Sequence, residues 1–132
     1  MSGRTRVLVA DDHRAMLDTL VRLLSHDFEV VAAVPDGLAA VTQAEDLEPD
    51  LLVLDIAMPG LNGIAAAAHL KQRGSTAKVV FVTNMRDHEF MQESLALGQV
   101  GFVVKDRLVA DLLPAIRNVL AGKTFVSPSI RH

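Results

Sequence analysis

Five short stretches of the chain are almost entirely apolar and are as long as a buried β-strand. They are residues 7–10, 30–34, 51–54, 79–82 and 102–104. Apolar residues in an unbroken run, rather than in alternation with polar ones, indicate strands that are buried on both faces. Such strands are typical of a parallel sheet with helices packed on each side.

Segments with a helical period lie between and after these strands. The first predicted helix carries Met16, Leu17, Leu20, Leu23 and Leu24. The next three predicted helices span about residues 38–47, 64–73 and 88–97. The last helix is the clearest, with a stripe of Val109, Leu112, Leu113, Ile116, Val119 and Leu120 before Gly122. Pro114 falls inside this last pattern, so the helix either begins only a few residues earlier or bends at the proline.

The order of these elements predicts the class of fold. A strand followed by a helix, five times in succession, is typical of an α/β fold with a doubly wound parallel sheet. Right-handed crossovers then place helices on both faces of the sheet, which gives three layers. We predict one domain over residues 1–123. Residues 124–132 lose the helical period and are predicted to be a tail or the start of a linker.

Composition excludes several classes of protein. The chain has 132 residues, of which 50% are hydrophobic, so it can form one core and is too apolar for a disordered segment. It has no cysteine, which excludes disulfides and fits a reducing compartment, the cytoplasm. No run is long and apolar enough to span a membrane. A net charge of -3, scattered basic residues and the lack of Trp and Tyr argue against nucleic-acid binding by this segment.

Polar residues follow four of the five predicted strands at the point where each strand ends. Asp11 and Asp12 follow the first strand, Asp55 the third, Thr83 the fourth and Lys105 the fifth. Because ligands bind outside the carboxyl ends of parallel strands, we expect these five residues to converge. Each residue alone could simply mark the point at which the chain turns polar. Three carboxylates, a hydroxyl and an ammonium group at one edge instead indicate a chemical site.

The residue types indicate phosphoryl chemistry assisted by a divalent cation. Clustered carboxylates repel one another, and Mg²⁺, which takes one or two carboxylates with waters and phosphate oxygens, suits Asp12 and Asp55. A carboxylate can also attack phosphorus and form an aspartyl phosphate. The metal, Thr83 and Lys105 would neutralise the charge of the phosphoryl oxygens. The turn after the first strand has no glycine, which disfavours a nucleotide-binding loop, and no histidine directly follows a strand.

The motifs around these residues resemble the receiver domain of bacterial two-component response regulators over essentially the whole chain. The matching segments are residues 7–13 (VLVADDH), residues 54–63 (LDIAMPGLNG), Thr83 and residues 101–106 (GFVVKD). The first and last of these segments and the ending at residues 121–129 are similar to the NarL/FixJ, or LuxR-type, subgroup. The resemblance implies the flavodoxin-like receiver fold, with five strands in the order 2-1-3-4-5 and five flanking helices.

The resemblance also implies roles for the residues at the strand ends. Asp55 would accept a phosphoryl group from a sensor histidine kinase, and Lys105 would pair with that group. Asp12, Asp55 and the backbone carbonyl of Ala57 would ligate Mg²⁺, while Asp11 would act largely through a bound water.

Two residues would form the family's switch. Thr83 would move to hydrogen-bond the phosphoryl group, and the ring of Phe102 would turn inward into the space that Thr83 leaves. Without the resemblance, Phe102 would be interpreted as an ordinary strand residue that fills the core. The output would be a change of dimerisation, with a homodimer forming on phosphorylation. Asp106 follows Lys105, whereas many receivers have a proline after this lysine, with a cis peptide bond between the two residues. The sequence therefore leaves open whether the Lys105–Asp106 peptide bond is cis or trans.

Three positions depart from the family pattern. Asn84 follows Thr83, where receivers usually have a small residue, and it narrows access to the phosphoryl site in this interpretation. Ala57 and Met85 stand where polar residues can orient an attacking water, and neither side chain can do so. We therefore hypothesise that the aspartyl phosphate hydrolyses slowly.

Two other functions share parts of the pattern. A haloacid-dehalogenase-like phosphatase also uses a nucleophilic aspartate, but its D-x-D motif would need an acid at Ala57, and its acidic pair comes late in the chain. A degenerate receiver that binds partners without phosphorylation is supported only by Asn84. The leading hypothesis is a phosphorylation-controlled switch rather than a dedicated enzyme, with transcription controlled through a DNA-binding domain outside this chain.

Overall fold

Strands and helices alternate along the chain as the hydrophobic pattern predicts. The computed structural model describes residues 4–84 and 88–128. Its strands are β1 (Arg6–Ala10), β2 (Glu29–Val34), β3 (Leu51–Leu54), β4 (Lys78–Thr83), β5 (Val100–Val104) and β6 (Phe125–Val126). Its helices are α1 (Arg14–Ser25), α2 (Gly37–Leu47), α3 (Gly63–Gln72), α4 (His88–Leu95) and α5 (Leu108–Leu120). One turn of 3₁₀ helix, Lys105–Arg107, joins β5 to α5.

The strands form one parallel sheet in the order β2-β1-β3-β4-β5-β6. The predicted order 2-1-3-4-5 is confirmed, but the predicted count of five strands is wrong by one. Phe125 and Val126 pair with Gly101 and Phe102 at the open edge of β5. A strand of two residues has no hydrophobic run that a pattern could detect, so this segment was predicted to belong to the tail. The sheet therefore extends past residue 123, while the proposed domain division at that point stays a prediction.

The three predicted layers are present, and they explain why the strands read as unbroken apolar runs. Successive residues of β1 point to opposite faces: Leu8 packs in one cluster of buried residues, and Val7 and Val9 pack in the other. The first cluster is covered by α2, α3 and α4, and the second by α1 and α5. Both faces of each central strand are thus buried under helices, as expected for a parallel sheet between helices.

Helix α5 begins at Leu108, six residues before Pro114, and continues beyond the proline to Leu120. Its buried face differs from the predicted stripe. Val109 is 85% exposed, whereas Asp111 and Ala115 are buried. The true face is therefore turned about one residue around the helix from the face that the largest apolar side chains indicated. Among the described helices, α5 is the longest, at 13 residues, and none has the length and apolarity that crossing a membrane requires.

Candidate functional site

Asp11 and Asp55 lie side by side at the carboxyl edge of the sheet. Each directly follows a strand, and β1 and β3 are neighbours in the sheet. The backbone N–H of Asp55 donates to Ala10 O at 2.9 Å, and that of Asp11 donates to Val34 O at 3.1 Å. The chain crosses in opposite directions on the two sides of β1, so this edge is the switch point at which such sheets form their ligand crevice.

The loop between Asp55 and α3 is closed by backbone hydrogen bonds. The carbonyl of Ile56 accepts from Met58 N at 3.0 Å and from Gly63 N at 2.9 Å, and Asn62 caps α3 with its side chain. A Cβ atom on Gly63 would lie only 2.1 Å from the carbonyl oxygen of Asp55. Glycine at this position lets the first turn of α3 pack directly against the backbone of Asp55, which fixes the position of the carboxylate.

Lys105 is the cation of the site. Its Nζ lies 2.9 Å from Asp11 Oδ2 and 3.4 Å from Asp55 Oδ2, and its side chain is 7% exposed. The contact with Asp11 is an ion pair without hydrogen-bond alignment, because Asp11 Oδ2 is buried and has no aligned donor among the described residues. One ammonium group is therefore shared between two buried carboxylates, which leaves the cluster short of positive charge.

The electrostatic consequence is seen at Asp55. Burial raises the pKa of this carboxyl from 3.8 to about 6, and the negative charge of Asp11 adds to the shift. Lys105 opposes the shift without cancelling it, and Asp12 contributes a smaller increase. The negative charge of ionised Asp55 is only partly balanced by the positive charge around it. A further cation that binds beside Asp55 would therefore stabilise the ionised form.

Asp12 and His13 form the solvent side of the cluster. His13 Nδ1 lies 3.1 Å from Asp12 Oδ1 and 3.5 Å from Asp11 Oδ1, and His13 N donates to Asp11 Oδ1 at 2.8 Å. The sequence pattern alone indicates no role for His13 in the site. The signal that could have found it is its position, directly after the acidic pair and directly before α1.

The cluster has the donor set of a divalent-cation site. Ligand atoms of Asp11, Asp12, His13 and Asp55 all lie within 4.8 Å of one another. Most of them are carboxylate oxygens, which Mg²⁺ prefers. The buried Asp11 Oδ2 accepts no aligned hydrogen bond from the described residues, and a cation or its bound water would supply the missing contact. The residues present therefore fit Mg²⁺. A cavity of about 360 Å³ opens beside Asp11 and Asp12, while a larger cavity, about 730 Å³, lies at the opposite edge near Glu45 and Lys78.

The remaining predicted residues lie around this cluster at different depths. Thr83 is fully buried at the end of β4, and its partner in the sheet is Val104, the residue before Lys105. Phe102 is also fully buried, so its ring already lies within the core. Ala57 and Asn84 are exposed. Met85 lies outside the described residues.

The comparison with protein families gives one match over most of the chain. Residues 7–117 match the family described as response regulator receiver domain. The response regulator GacA of Pseudomonas viridiflava is 34% identical over 127 residues, which are 95% of this chain and 59% of that protein. The transcriptional regulatory protein DegU of Brevibacillus brevis is 30% identical over 132 residues, 98% of this chain and 56% of that protein. The chain thus spans less than two thirds of these relatives.

Solved structures show the same architecture. A LuxR-family two-component response regulator from Aurantimonas sp. SI85-9A1 superposes with a TM-score of 0.90 at 30% identity, over 97% of this chain and 93% of that one. The isolated receiver domain of RcsB from Salmonella enterica serovar Typhimurium, determined with the phosphomimetic BeF3-, superposes with a TM-score of 0.87 at 25% identity, over 97% and 96% of the two chains. The predicted flavodoxin-like receiver fold and the NarL/FixJ-type resemblance are confirmed.

Proposed function

The chain belongs to the response regulator receiver domain family, and from that premise we propose that Asp55 accepts a phosphoryl group from a sensor histidine kinase. The observation that carries the proposal is the placement of Lys105, whose Nζ lies 2.9 Å from Asp11 and 3.4 Å from Asp55. A carboxylate with an ammonium group beside it can attack phosphorus and then keep the new phosphoryl group paired with that cation.

The chemistry assigns a distinct task to each residue. An oxygen of Asp55 forms the bond to phosphorus while the bond between phosphorus and the donor breaks. Lys105 pairs with the phosphoryl oxygens, and Thr83 donates a hydrogen bond to one of them. Asp11, Asp12, Asp55 and the backbone carbonyl of Ala57 would hold Mg²⁺, which when bound supplies positive charge next to the phosphoryl oxygens.

The output of the domain is a change of shape rather than a chemical product. Thr83 pairs in the sheet with Val104, the residue before Lys105, and Phe102 lies two residues earlier in the same strand. A movement of Thr83 toward the phosphoryl group therefore changes the packing at the end of β5. We propose that the phosphorylated domain forms a homodimer and controls transcription through a DNA-binding domain outside this chain. The relatives GacA and DegU, which are longer than this chain, support that arrangement. The proposal implies a cytoplasmic location, which suits a chain without cysteine.

The alternatives explain fewer of the observations. A haloacid-dehalogenase-like phosphatase needs a second acid two residues after its nucleophile, and position 57 is an alanine with no ionisable group. A receiver that binds partners without phosphorylation does not account for the convergence of Asp55, Lys105 and the acidic pair at one edge of the sheet. We also propose that the phosphoryl group is hydrolysed slowly, because Ala57 offers no polar atom in its side chain to orient water.

The proposal is tested by locating the modified residue. The full chain is incubated with acetyl phosphate and Mg²⁺, reduced with borohydride, which converts an aspartyl phosphate to homoserine, and digested for peptide mapping. Homoserine at position 55 and at no other aspartate is the expected result. Modification at Asp11 or Asp12 instead would contradict the assignment of Asp55, and no modification with Mg²⁺ present would favour the phosphorylation-independent alternative.

A further inference from the structure

Arg107, Asp111 and Ser127 form a hydrogen-bonded network beyond the end of β5. Arg107 holds both oxygens of the Asp111 carboxylate, with Nε 2.8 Å from Oδ2 and Nη2 3.1 Å from Oδ1. Ser127 Oγ donates to Asp111 Oδ2 at 2.7 Å. Asp111 is 4% exposed and Ser127 is fully buried. A buried serine and a buried aspartate are unusual in segments that the sequence indicates to be a tail and an amphipathic helix, and neither takes part in the proposed phosphoryl chemistry.

Ser127 also ties the end of the described chain to β5. Its Oγ accepts a hydrogen bond from Val104 N at 3.1 Å, and its own N–H donates to Phe102 O at 2.9 Å. These contacts continue the pairing of β6 with β5 by one residue. The C-terminal segment is therefore attached to the backbone of the strand that leads to Lys105.

The network is electrostatically complete only when all three residues are present. Burial alone would raise the pKa of Asp111, but the hydrogen bonds from Arg107 and Ser127, together with the positive charge of Arg107, outweigh burial and lower that pKa. A buried carboxylate that loses one of its donors keeps its charge without full compensation, which is much less favourable than either the complete network or a solvated carboxylate. The three side chains are therefore expected to associate or separate together.

The network holds the backbone on both sides of Lys105. Val104, the residue before Lys105, donates its N–H to Ser127, and Arg107, two residues after it, is bound to Asp111. The 3₁₀ turn between them carries Lys105, whose Nζ reaches the carboxylate cluster. Asp55 is thus connected to the C-terminal segment through its ion pair with Lys105, the peptide bond that joins Lys105 to Val104, and the hydrogen bond from that residue to Ser127.

We propose that the Arg107–Asp111–Ser127 network is a latch that positions Lys105 and couples the state of Asp55 to the chain that follows Pro128. Ser127 and Asp111 act as positioning residues, because they touch neither the phosphoryl group nor the metal. Coupling free energies are reciprocal. If the closed latch holds Lys105 where it binds a phosphoryl group, then a phosphoryl group on Asp55 stabilises the closed latch. This inference rests on the proposed function and adds a route from the site to the exit of the domain.

The test uses the full chain and beryllofluoride with Mg²⁺ as the phosphoryl mimic. Affinities are measured by calorimetry for the parent, Ser127→Ala, Asp111→Asn and the double variant, with Thr124→Ala, an exposed position of the same segment, as the matched control. Each single variant should bind beryllofluoride about fivefold more weakly, the equivalent of one lost hydrogen bond. The double variant should lose little more than one single variant, because both residues act through one network. The affinity for Mg²⁺ alone and the Thr124→Ala control should not change.

Amide hydrogen exchange on the same proteins measures the reciprocal effect. In the parent, binding of beryllofluoride should slow exchange at Ser127 by about fivefold, and Asp111→Asn should abolish this response. In a parent that binds beryllofluoride, parent-like affinity of both single variants, additive losses in the double variant, or unchanged exchange at Ser127 on binding would each overturn the latch.

Failure of the proposed function gives a different result. A parent that binds no beryllofluoride and accepts no phosphoryl group contradicts the role of Asp55. In that case, amide exchange at Val104 tests the latch. Faster exchange in Asp111→Asn than in the parent would support the latch, and equal exchange in the two proteins would overturn it.

Discussion

Lys105 lies closer to Asp11 than to Asp55. Its Nζ is 2.9 Å from Asp11 Oδ2 and 3.4 Å from Asp55 Oδ2. The cation thus lies nearer to the carboxylate that is not the proposed acceptor, and Asp55 keeps a raised pKa in spite of its positive neighbour. A phosphoryl group on Asp55 would bring its oxygens toward Lys105 and change this division of charge. Four predictions follow from the balance of charge and space around these residues.

Lys105→Met should destabilise the chain at neutral pH. Methionine fills a similar volume but leaves Asp11 and Asp55 without their cation, and removing one partner of a buried pair costs about 3–5 kcal/mol. Urea unfolding at pH 7.5 in EDTA measures the change. Mg²⁺ should restore part of the loss, because it supplies positive charge to the same carboxylates. Lys123→Met, at an exposed position, is the control, and equal stability of the two variants would contradict the account.

Asp55→Asn should stabilise the metal-free protein in a pH-dependent way. The pKa of Asp55 is about 6 in the folded chain against 3.8 for the free carboxyl, so between these values the folded chain binds the proton more tightly than the unfolded chain. The stabilisation that comes from tighter binding of this proton in the folded chain is complete below pH 3.8 and is lost as the pH rises through 6. Ionised Asp55 therefore costs about 1–3 kcal/mol at pH 7.5.

Unfolding free energies of the parent and Asp55→Asn from pH 4 to 8 test this prediction. The advantage of the variant should be largest above pH 7, by about 1–3 kcal/mol, and absent near pH 4. Asp46→Asn, at an exposed position of α2, should show no such pH dependence. An advantage of Asp55→Asn that stays constant across this range would mean that the carboxyl is not strained by its surroundings.

Gly63→Ala should distort the loop that carries Asp55. The new Cβ atom would lie 2.1 Å from Asp55 O, and the atoms in contact are backbone, which cannot move aside as a flexible side chain would. Overpacking of this kind costs about 1–3 kcal/mol, and here the higher value is expected. Gly74→Ala is the control, because a Cβ there meets nothing within 4 Å and only the φ of +93° adds strain, about 1 kcal/mol. Equal losses in thermal unfolding would argue against a special role for Gly63.

The phosphorylated protein should persist for minutes or longer in Mg²⁺ buffer. Ala57 is exposed beside the site and has no polar side-chain atom, so it cannot orient a water for attack. Ala57→Gln should shorten the lifetime several-fold, as followed by loss of the phosphorylated mass with time. A half-life of seconds in the parent, or no effect of the glutamine, would contradict this interpretation.

Sequence patterns predicted the central sheet and the carboxylate cluster well because both depend on local signals. The apolar run of β3 identifies a strand buried on two faces, and Asp55 at its end is placed by the parallel arrangement alone. Asp11, Asp12 and Lys105 follow by the same rule, and the structure brings all four together.

The parts that the sequence did not reveal depend on contacts between distant segments. Ser127 is buried because its Oγ donates to Asp111 and accepts from Val104 N of β5, and no property of residues 124–128 indicates that pairing. Val109 was predicted to face the core since it is apolar, but α5 packs with Asp111 and Ala115 inward and leaves Val109 exposed. Asp111, a charged residue on the buried face, is tolerated only because Arg107 and Ser127 neutralise and solvate it.

The central claim, that Asp55 is a Mg²⁺-dependent phosphoacceptor, is tested most directly by intact mass after incubation with phosphoramidate. The parent and Asp55→Asn are compared with and without Mg²⁺, with Asp106→Asn as a second aspartate variant next to the site. We expect a gain of about 80 Da, one phosphoryl group on a carboxylate, in the parent and in Asp106→Asn only when Mg²⁺ is present. Asp55→Asn should show no gain. The same gain in Asp55→Asn, or no gain in the parent with Mg²⁺, would contradict it.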